Sequence, residues 1–422
     1  MTIQVDNPLP QSYLTSEPGI GGQIKVRPED FLVDELPLYD PCGEGEHLYL
    51  GIEKHGVSHG ELMAVLCRHF RVGEGRIGFA GMKDKIAVTR QAVSIHLTHD
   101  PPDLEPSHDR IRVLWSARHR NKIRRGHLVG NRFSIRIRDV DPFAVAGVRK
   151  QLATLERLGV PNYFGFQRFG YRHNNHRLGA LLIRGDAQGL LDELLGARGS
   201  AFPEYQRERR ELYDAGRYEE AVAQWTAADR SELRALNAIV RGDPPDRAAR
   251  AVSPTTLGFW INAFQSAVFN HVLDARLRAA TYDRLLDGDL AWKHDSRSVF
   301  AVGPAELDDP TTAARLIALE ISPSGPLWGR SMTETRAAVG RTEADALVAS
   351  GLTYDELVAS RRCPDGARRA MRVPLRNTEI EGGVDEHGAF VRVAFDLPRG
   401  AYATVVLREL MKGGAGDDEE GD

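Results

Sequence analysis

One short segment places a carboxylate between two lysines, directly after a glycine-bearing stretch. Asp84 lies between Lys83 and Lys85, and Gly78 and Gly81 precede it. Glycine permits close approaches that a side chain would block, and the β-rich composition that follows predicts that Asp84 lies on a loop entering a strand. A carboxylate between two ammonium groups is ionised at neutral pH and can act as a nucleophile or a base. A solvated turn residue is the alternative interpretation.

Length and composition restrict the class of protein. The 422 residues exceed one compact domain, so we expect two domains or one domain with a large insertion. The 55 basic and 59 acidic side chains nearly balance, which argues against a uniformly basic surface. Cys42, Cys67 and Cys363 form no CxxC pair or disulfide framework, as is typical of the reducing cytoplasm. We find no secretory leader and no apolar run long enough to span a bilayer, so we expect a cytoplasmic protein.

Patterns of alternation and helical periodicity predict the elements of the first 160 residues. Residues 22–39 predict two short strands broken at Pro28, residues 47–54 another strand, and residues 60–70 a helix. In residues 131–138, apolar and basic side chains alternate, so one face packs while the other is able to meet phosphate. Asp141 followed by a proline predicts the start of a helix that ends at Gly159.

A dense basic run interrupts the balanced charge. Residues 110–138 contain ten lysines and arginines, with Asp109 just ahead as the nearest acid. Such a run is the electrostatic footprint expected for a phosphate-backbone partner. A solvated charged loop is the alternative, although such loops usually mix the two signs of charge.

The amino-acid composition and the predicted elements change in the second half of the chain. Residues 161–170 combine several aromatic side chains with Arg168, a composition typical of a base-stacking surface. Residues 171–372 are rich in helix-forming segments, such as 186–195, 209–225 and 260–278, and we interpret them as an inserted domain. Strand-like alternation then returns, and the glycine-rich acidic tail 413–422 is expected to be disordered.

Two further patterns are weak. Residues 73–78 match the dinucleotide fingerprint GxGxxG, but they follow a predicted helix and lead into a loop, which is the wrong context. His173 and His176 are the closest approach to a metal-binding pair, but no cysteine or carboxylate accompanies them at ligand spacing. We interpret the two histidines as structural surface residues and expect no metal or other cofactor.

The segment AGMKDKIAVTRQ around Asp84 resembles the active-site segment AGxKD(R/K)xAVTxQ of the TruD-type pseudouridine synthases. Four further segments resemble motifs of this family in the same order: IKVRPEDFLV, GNRF, PNYFGFQRFG and AYATVVLRE. Together they cover most of the chain. One departure is Ser58-His59, where family members usually carry an Asn-Thr pair.

The resemblance implies an α+β fold. It implies a pseudouridine-synthase catalytic domain, residues 1–160 and 373–412, with a mainly antiparallel sheet flanked by helices. A large inserted α/β (TRUD) domain would then occupy residues 161–372.

The resemblance also implies an activity, the isomerisation of uridine to pseudouridine in tRNA, chiefly at position 13, by a monomer without a cofactor. It implies catalytic roles for Asp84 and Lys25 and substrate contacts from Phe31, Asn131, Phe133 and Tyr402. Our candidate RNA contacts are Lys83, Arg124, Arg125, Arg136 and Arg168. The competing hypothesis is an RNA-binding protein that retains the pocket without catalysis, and a nucleotide-sugar or dinucleotide enzyme is a further alternative.

Overall fold

The computed structural model describes residues 7–413, which form two compact units. The sheet unit comprises residues 14–160 and 373–413, and the helical unit comprises residues 7–13 and 161–372. The chain passes between the units after residues 160 and 372. The predicted tail lies outside the described residues, except for Gly413.

Within the described part of the sheet unit, eight strands form one sheet. Numbered along the whole chain, they are β1 (Phe31–Pro37), β2 (His47–His55), β3 (Ile77–Phe79), β4 (Val88–His96), β5 (Ile111–His119), β6 (Leu128–Arg138), β13 (Arg376–Asp385) and β14 (Gly388–Pro398). Their order is β13-β14-β6-β1-β4-β2-β5, and β3 pairs with β4. Every pair is antiparallel except β1 with β4. The mainly antiparallel sheet confirms the predicted α+β class.

Three helices accompany this sheet in the described residues: α1 (His59–His69), α2 (Val145–Leu158) and α14 (Ala403–Met411). Side chains alternate between the two faces of a strand, so the apolar residues at alternate positions of β2 all project to one side. Leu48, Leu50 and Ile52 pack there in one buried core with Leu62 and Leu66 of α1. The predicted strand and helix are therefore confirmed to within one residue at each end.

The strand register gathers candidate site residues on that same face. Val33 of β1 is paired with Thr89 of β4 on one side and with Phe133 of β6 on the other. Lys54 of β2 is also paired with Thr89. Because residues paired directly across neighbouring strands project to the same side of a sheet, these side chains share one face.

The start of the sheet unit packs against its last helix. Glu409 of α14 is buried, and its carboxylate accepts hydrogen bonds from the backbone amides of Leu14 and Thr15 at 2.9 and 3.0 Å. The amide of Ile20 donates to the carbonyl of Leu410. These hydrogen bonds thus join the first and last segments of the unit.

In the helical unit, the described helices are α3 (Asn175–Arg184), α4 (Ala187–Leu195), α5 (Arg207–Asp214), α6 (Tyr218–Gln224), α7 (Arg230–Val240), α8 (Pro245–Arg250), α9 (Pro254–Arg278), α10 (Pro304–Asp308), α11 (Pro310–Ile317), α12 (Ala337–Ala349) and α13 (Tyr354–Ala359). The strands β8 (Leu290–Lys293), β9 (Val299–Ala301), β10 (Ile321–Leu327) and β11 (Ala367–Ala370) form an antiparallel sheet in the order β11-β10-β8-β9. This unit is therefore α+β, not the predicted α/β arrangement. The two-residue strands β7 (Val160–Pro161) and β12 (Arg372–Val373) lie at the two crossings between units.

Two of the predicted elements need correction. Residues 22–27 form no strand beyond one bridge from Gln23 to Arg138, because Gly22 and Lys25 have positive φ angles that interrupt extended backbone. The segment 209–225 forms α5 and α6 rather than one helix, with a break at Gly216, where φ is +73°. The predicted helices 186–195 and 260–278 are confirmed as α4 and the larger part of α9.

Residues 7–13, predicted to belong to the catalytic domain, instead group with the helical unit. The physical reason is a set of hydrogen bonds to α9. Asn270 donates to the carbonyl of Pro8 at 2.9 Å, and the amide of Ser12 donates to Asp274 at 2.9 Å. None of the helices that the structure describes is long and apolar enough to cross a bilayer.

Candidate active site

Asp84 lies on the loop between β3 and β4, as predicted. Its side chain is 42% exposed, so it is open to a ligand. A side chain at Gly78 of β3 would come within 2.3 Å of the carbonyl oxygen of Ile123, so this position requires glycine. The close approach of Lys122 and Ile123 thus restricts the strand that leads into the Asp84 loop.

Lys25 approaches Asp84 from the segment before β1. Its ammonium nitrogen is 3.8 Å from Oδ2 of Asp84, and its side chain is only 7% exposed. Lys25 has a φ of +56°, a left-handed conformation that is uncommon for residues other than glycine. The structure therefore brings together the two predicted catalytic residues, with the lysine held beneath a more exposed acid.

Aromatic rings form a wall beside this pair. The ammonium group of Lys25 lies 5.0 Å from the centre of the Phe31 ring. Phe31 meets Phe133 edge to face with ring centres 6.3 Å apart, and Phe133 lies 5.7 Å from Phe395 of β14. All three phenylalanines are buried. Phe395 was not predicted as a site residue, although its position in an alternating strand indicated that it faces inward.

Polar atoms without partners lie on the same face of the sheet. Oδ1 of Asn131, Oγ1 of Thr89, and both amide atoms of Gln91 are buried and have no hydrogen-bond partner in the described structure. Asn131 is two residues from Phe133 along β6, and Gln91 is two residues from Thr89 along β4, so each pair shares a face. A buried polar atom without a partner costs about 1–3 kcal/mol. Unpartnered atoms of this kind are typical of a site that binds a polar ligand.

Lys54 is a site residue that sequence reasoning missed. Its side chain is fully buried, and its ammonium group donates to the carbonyls of Asp84 at 2.7 Å and Val57 at 2.6 Å. Burial lowers the pKa of Lys54 to about 8, while the charge of Asp84 acts in the opposite direction. A charged residue at the inward position that follows Leu48, Leu50 and Ile52 was the signal available in the sequence.

Lys83 was predicted to contact RNA, but it does not reach the surface. It is buried, and its ammonium group donates to Oε2 of Glu35 at 2.6 Å, with both side chains no more than 5% exposed. The other carboxylate oxygen of Glu35 accepts from the amide of Ala92. A buried ion pair of this kind anchors the residue next to Asp84 to β1, so Lys83 is unsuited to contact RNA.

The predicted RNA contacts differ in their surroundings. Arg124 and Arg125 are exposed, and Arg125 lies 5.7 Å from the centre of the Phe79 ring. Arg136 is half-buried and lies 4.0 Å from the carboxylates of both Asp30 and Asp385. Its alternation with Phe133 places it on the opposite face of the sheet from the aromatic wall. Arg136 therefore lies beside two acids and does not face the candidate site.

Arg168 belongs to the helical unit. Its guanidinium group lies 5.3 Å from the ring centres of both Phe164 and Phe259. The prediction that this segment forms a base-stacking surface is wrong, because Tyr163, Phe164 and Phe169 are buried. Within this segment, the hydroxyl of Tyr163 donates to Asp274 at 2.6 Å and the amide of Phe164 donates to Asn270 at 2.9 Å. The segment therefore packs the helical unit together.

The remaining motif positions have structural roles. Ser58 caps α1 by accepting from the amide of Glu61 at 3.1 Å. His59 packs on Phe79 with ring centres 4.2 Å apart, and burial lowers its pKa. The segment 73–78 forms a 3-10 turn and β3 rather than opening a helix, so it is no dinucleotide site.

We expected His176 to lie on the surface, but it is buried, and its ring lies edge to face with Phe169. Among the described residues, no three or more histidine, cysteine or acidic side chains gather in a way that would hold a metal ion.

Comparison with known proteins identifies the family. A family model described as tRNA pseudouridine synthase D (TruD) matches residues 10–410. The chain belongs to the TruD family. It is 41% identical over 403 residues to the tRNA pseudouridine synthase D of Geobacter sulfurreducens, with 95% of this chain and 96% of that protein covered. It is 36% identical to the protein of the same name from Thermus thermophilus, with 95% and 92% covered.

A solved structure shows the same TruD fold. A crystal structure of a Methanosarcina mazei protein assigned to tRNA pseudouridine synthase D superimposes with a TM-score of 0.82 at 25% identity, covering 96% of this chain and 97% of that one. In the present TruD member, Tyr402 is half-buried and is the N-cap residue of α14. β14 ends at Pro398, which is paired with Gly130 beside Asn131, so the closing TruD motif follows directly from the strand next to the site.

Proposed function

We propose that this chain isomerises uridine to pseudouridine in tRNA and that Asp84 is the catalytic residue. The observation that carries the proposal is the arrangement of Asp84 and Lys25 beside a wall of phenylalanines, in a chain of the TruD family. Relatives that match nearly the whole chain are named as tRNA pseudouridine synthases. The activity makes the protein an isomerase.

The reaction rearranges bonds within one nucleotide. The bond from C1′ to N1 of uracil breaks, the base rotates, and a bond forms from C1′ to C5. The proton on C5 is lost and N1 gains a proton, so the product has the same atoms as the substrate. Nothing is oxidised, reduced or transferred to a second molecule, and the chemistry therefore calls for no metal or organic cofactor.

Asp84 provides the reactive group in this proposal. An ionised carboxylate is able to add to the base or sugar as a nucleophile, or to remove a proton from the sugar. Both routes require a negative charge at one fixed position. Lys25 lies 3.8 Å from that carboxylate and helps to fix its orientation.

The aromatic wall and Asn131 would bind the uracil base. A uridine stacked in RNA hides the atoms that react, so the nucleotide must leave the stack at a cost of a few kcal/mol. Stacking against Phe31, Phe133 and Tyr402 offsets that cost. Uracil presents an N–H donor at N3, which suits the unpartnered Oδ1 of Asn131.

The finer assignments follow from the family resemblance. We propose position 13 of tRNA as the target, action as a monomer, and a cytoplasmic location, where tRNA is found. Arg124 and Arg125 remain proposed RNA contacts because both are exposed. Lys83 is left out because it is buried in an ion pair with Glu35, and Arg136 because it lies beside Asp30 and Asp385 on the opposite face of the sheet.

The decisive experiment replaces Asp84 by asparagine. Asp84→Asn keeps the size of the side chain and removes its charge, so tritium release from 5-tritiated uridine in tRNA should fall by at least about 10²-fold. Binding of tRNA should remain within about twofold, because the side chain contributes little of the RNA contact area. Asp109→Asn, at an acid that is 88% exposed, is the matched control and should retain full activity.

The outcomes separate the two candidate functions. Turnover by Asp84→Asn at the rate of the unmodified protein would refute the catalytic assignment. Tight, salt-sensitive tRNA binding by the unmodified protein without any tritium release would favour the RNA-binding hypothesis instead.

A further inference from the structure

A groove of about 370 Å³ opens in the helical unit and is lined by none of the residues of the candidate active site. It lies where α3 ends and α4 begins, and α8 and the segment 360–362 complete it. Gly185 turns the chain between the two helices with a φ of +78°. The floor is aliphatic, with contributions from Leu182, Leu190 and Ala249.

Four arginines line this groove: Arg184, Arg250, Arg361 and Arg362. Among the described residues, no carboxylate oxygen comes within 4.0 Å of their guanidinium groups. Arg184 donates to the carbonyl of Gly351, and Nε of Arg250 donates to the carbonyl of Asp246 at 2.9 Å. Hydrogen bonds to carbonyls orient a guanidinium group without neutralising its charge. Arg184 also interacts electrostatically with Glu356, which leaves Arg250, Arg361 and Arg362 as the arginines of the groove without an acidic partner among the described residues.

The acids at the groove do not neutralise it. Asp186 and Asp246 are the acidic residues that line it, two carboxylates against four guanidinium groups. Asp186 caps α4 by accepting from the amide of Gly189 at 2.8 Å. Elsewhere in the helical unit arginines are commonly paired with acids, as Arg207 is with Glu204 and Arg217 with Glu220. An excess of unpaired arginines in one groove, in a chain with a net charge of −4, calls for an external anion.

We propose that this groove binds the phosphodiester backbone of the RNA substrate. The inference rests on the proposed function, which supplies RNA as the partner. The planar guanidinium group presents paired N–H donors that match two phosphate oxygens. None of the residues that line the groove is aromatic, so it offers no surface for stacking a base. Contacts of this kind position an RNA and do not read its sequence.

The experiment compares two triple variants of the full-length protein. Arg250→Gln/Arg361→Gln/Arg362→Gln removes three charges from the groove. Arg207→Gln/Arg217→Gln/Arg247→Gln removes three charges from exposed arginines of the same unit that are paired with acids. Both variants change the net charge equally, so a general electrostatic effect is the same in each. Circular dichroism and a thermal scan establish that both fold.

The salt dependence of tRNA affinity is the measurement, with fluorescence anisotropy as the probe. Each phosphate contact contributes about 0.7–0.9 to the slope of log affinity against log salt, so the groove variant should lose about two units of slope. The control should lose less than half a unit. Because the groove holds no reacting atoms in this proposal, tritium release at saturating tRNA should stay within about twofold while KM rises.

Equal slopes for the two triple variants would overturn the groove assignment. Binding of uridine monophosphate that depends on the same arginines, with an unchanged tRNA slope, would also overturn it and indicate a mononucleotide site. Failure of the proposed function would appear differently. The unmodified protein would then release no tritium, whereas the slopes would still report whether the groove binds RNA.

Discussion

Lys54 holds the backbone of the candidate catalytic residue with a charge buried away from water. Its ammonium group donates to the carbonyls of Asp84 and Val57. The charged groups that act on it are Asp84 and Glu61, which raise its pKa, and Lys83, which lowers it. Desolvation is the largest influence and brings the pKa to about 8. A buried cation with this pKa loses its charge within the range in which enzymes are ordinarily assayed.

Lys54→Met should lower kcat by about ten- to a hundredfold, because it releases the loop that positions Asp84. The affinity for tRNA should not change, since Lys54 is fully buried and does not reach RNA. Turnover of the unmodified protein should decline above pH 8 as Lys54 loses its proton. The pH profile of kcat should lack this decline in Lys54→Met. An unchanged kcat in the variant would exclude the positioning role.

Unfolding does not account for the expected decline. The pKa of Lys54 is lower in the folded protein than its ordinary value of 10.5. Between about pH 8 and 10.5 the unfolded chain therefore binds a proton at this lysine that the folded chain does not. Stability consequently rises with pH in this window as far as Lys54 is concerned. Lost activity with retained stability above pH 8 would thus point to the site.

The sequence predicted which side chains gather at the candidate site better than it predicted the residues that support them. Asp84, Lys25, Phe31 and Phe133 lie within short motifs, and the structure brings these four side chains together. Lys54 lies in a strand whose pairing with β4 determines what its ammonium group meets, and such long-range pairing is not visible in a local pattern. Lys83 failed as an RNA contact for the same reason, because its partner Glu35 is distant in the sequence.

At the scale of elements, α3 and α9 approach so closely that one position requires glycine. A Cβ atom at Gly179 of α3 would lie 2.1 Å from the carbonyl oxygen of Trp260 of α9. Backbone cannot move aside as a flexible side chain can. In contrast, a Cβ atom at Gly258 of α9 would meet nothing within 4 Å.

These two glycines provide a matched pair of substitutions. Gly179→Ala should lower the free energy of unfolding by about 1–3 kcal/mol through overpacking. Gly258→Ala should raise it by roughly 0.5–1 kcal/mol, because alanine favours helix more than glycine does. The midpoints of thermal unfolding should shift in opposite directions. A rise in the midpoint for both variants would show that helix propensity and not contact with Trp260 dominates at Gly179.

The elements themselves were largely predictable where one pattern was strong. The alternation in β6 and the periodicity of α2 are local properties, and both elements form where expected. The predicted strand at residues 22–27 failed because alternation carries no information on the positive φ angles of Gly22 and Lys25. The alternation in β6 also did not reveal that Arg138 is buried between Asp30 and Asp385, two acids from distant segments.

At the scale of the molecule, most arginines of the acid-free run 110–138 are paired with acids from other segments of the chain. Acids from elsewhere in the sheet unit pair with most of its arginines: Arg110 with Glu61, Arg118 with Asp100, Arg120 with Glu44, Arg132 with Glu379 and Asp396, and Arg138 with Asp30 and Asp385. Arg124 and Arg125 are exposed and, within the described residues, have no carboxylate within 4.0 Å. Counting charges along a chain therefore overestimates the surface available to RNA.

Arg124→Gln/Arg125→Gln should weaken tRNA binding for all sequences alike. Loss of two phosphate contacts should reduce the slope of log affinity against log salt by about 1.4–1.8. Arg110→Gln/Arg120→Gln removes the same charge from the same run, at arginines paired with Glu61 and Glu44, and should change the slope far less. An unchanged slope for the first pair would remove this loop from the RNA footprint.

The division of the sheet unit into two stretches of sequence has a consequence during synthesis on the ribosome. β6 pairs with β1 on one side and with β14 on the other, but β14 emerges only after the whole inserted segment has been translated. Throughout that interval one edge of β6 carries unsatisfied amides and carbonyls beside Phe133, Ile135 and Ile137. Open edges of this kind invite pairing with other chains. Nascent chains stalled within the insertion should therefore be the aggregation-prone species and the ones that chaperones retain.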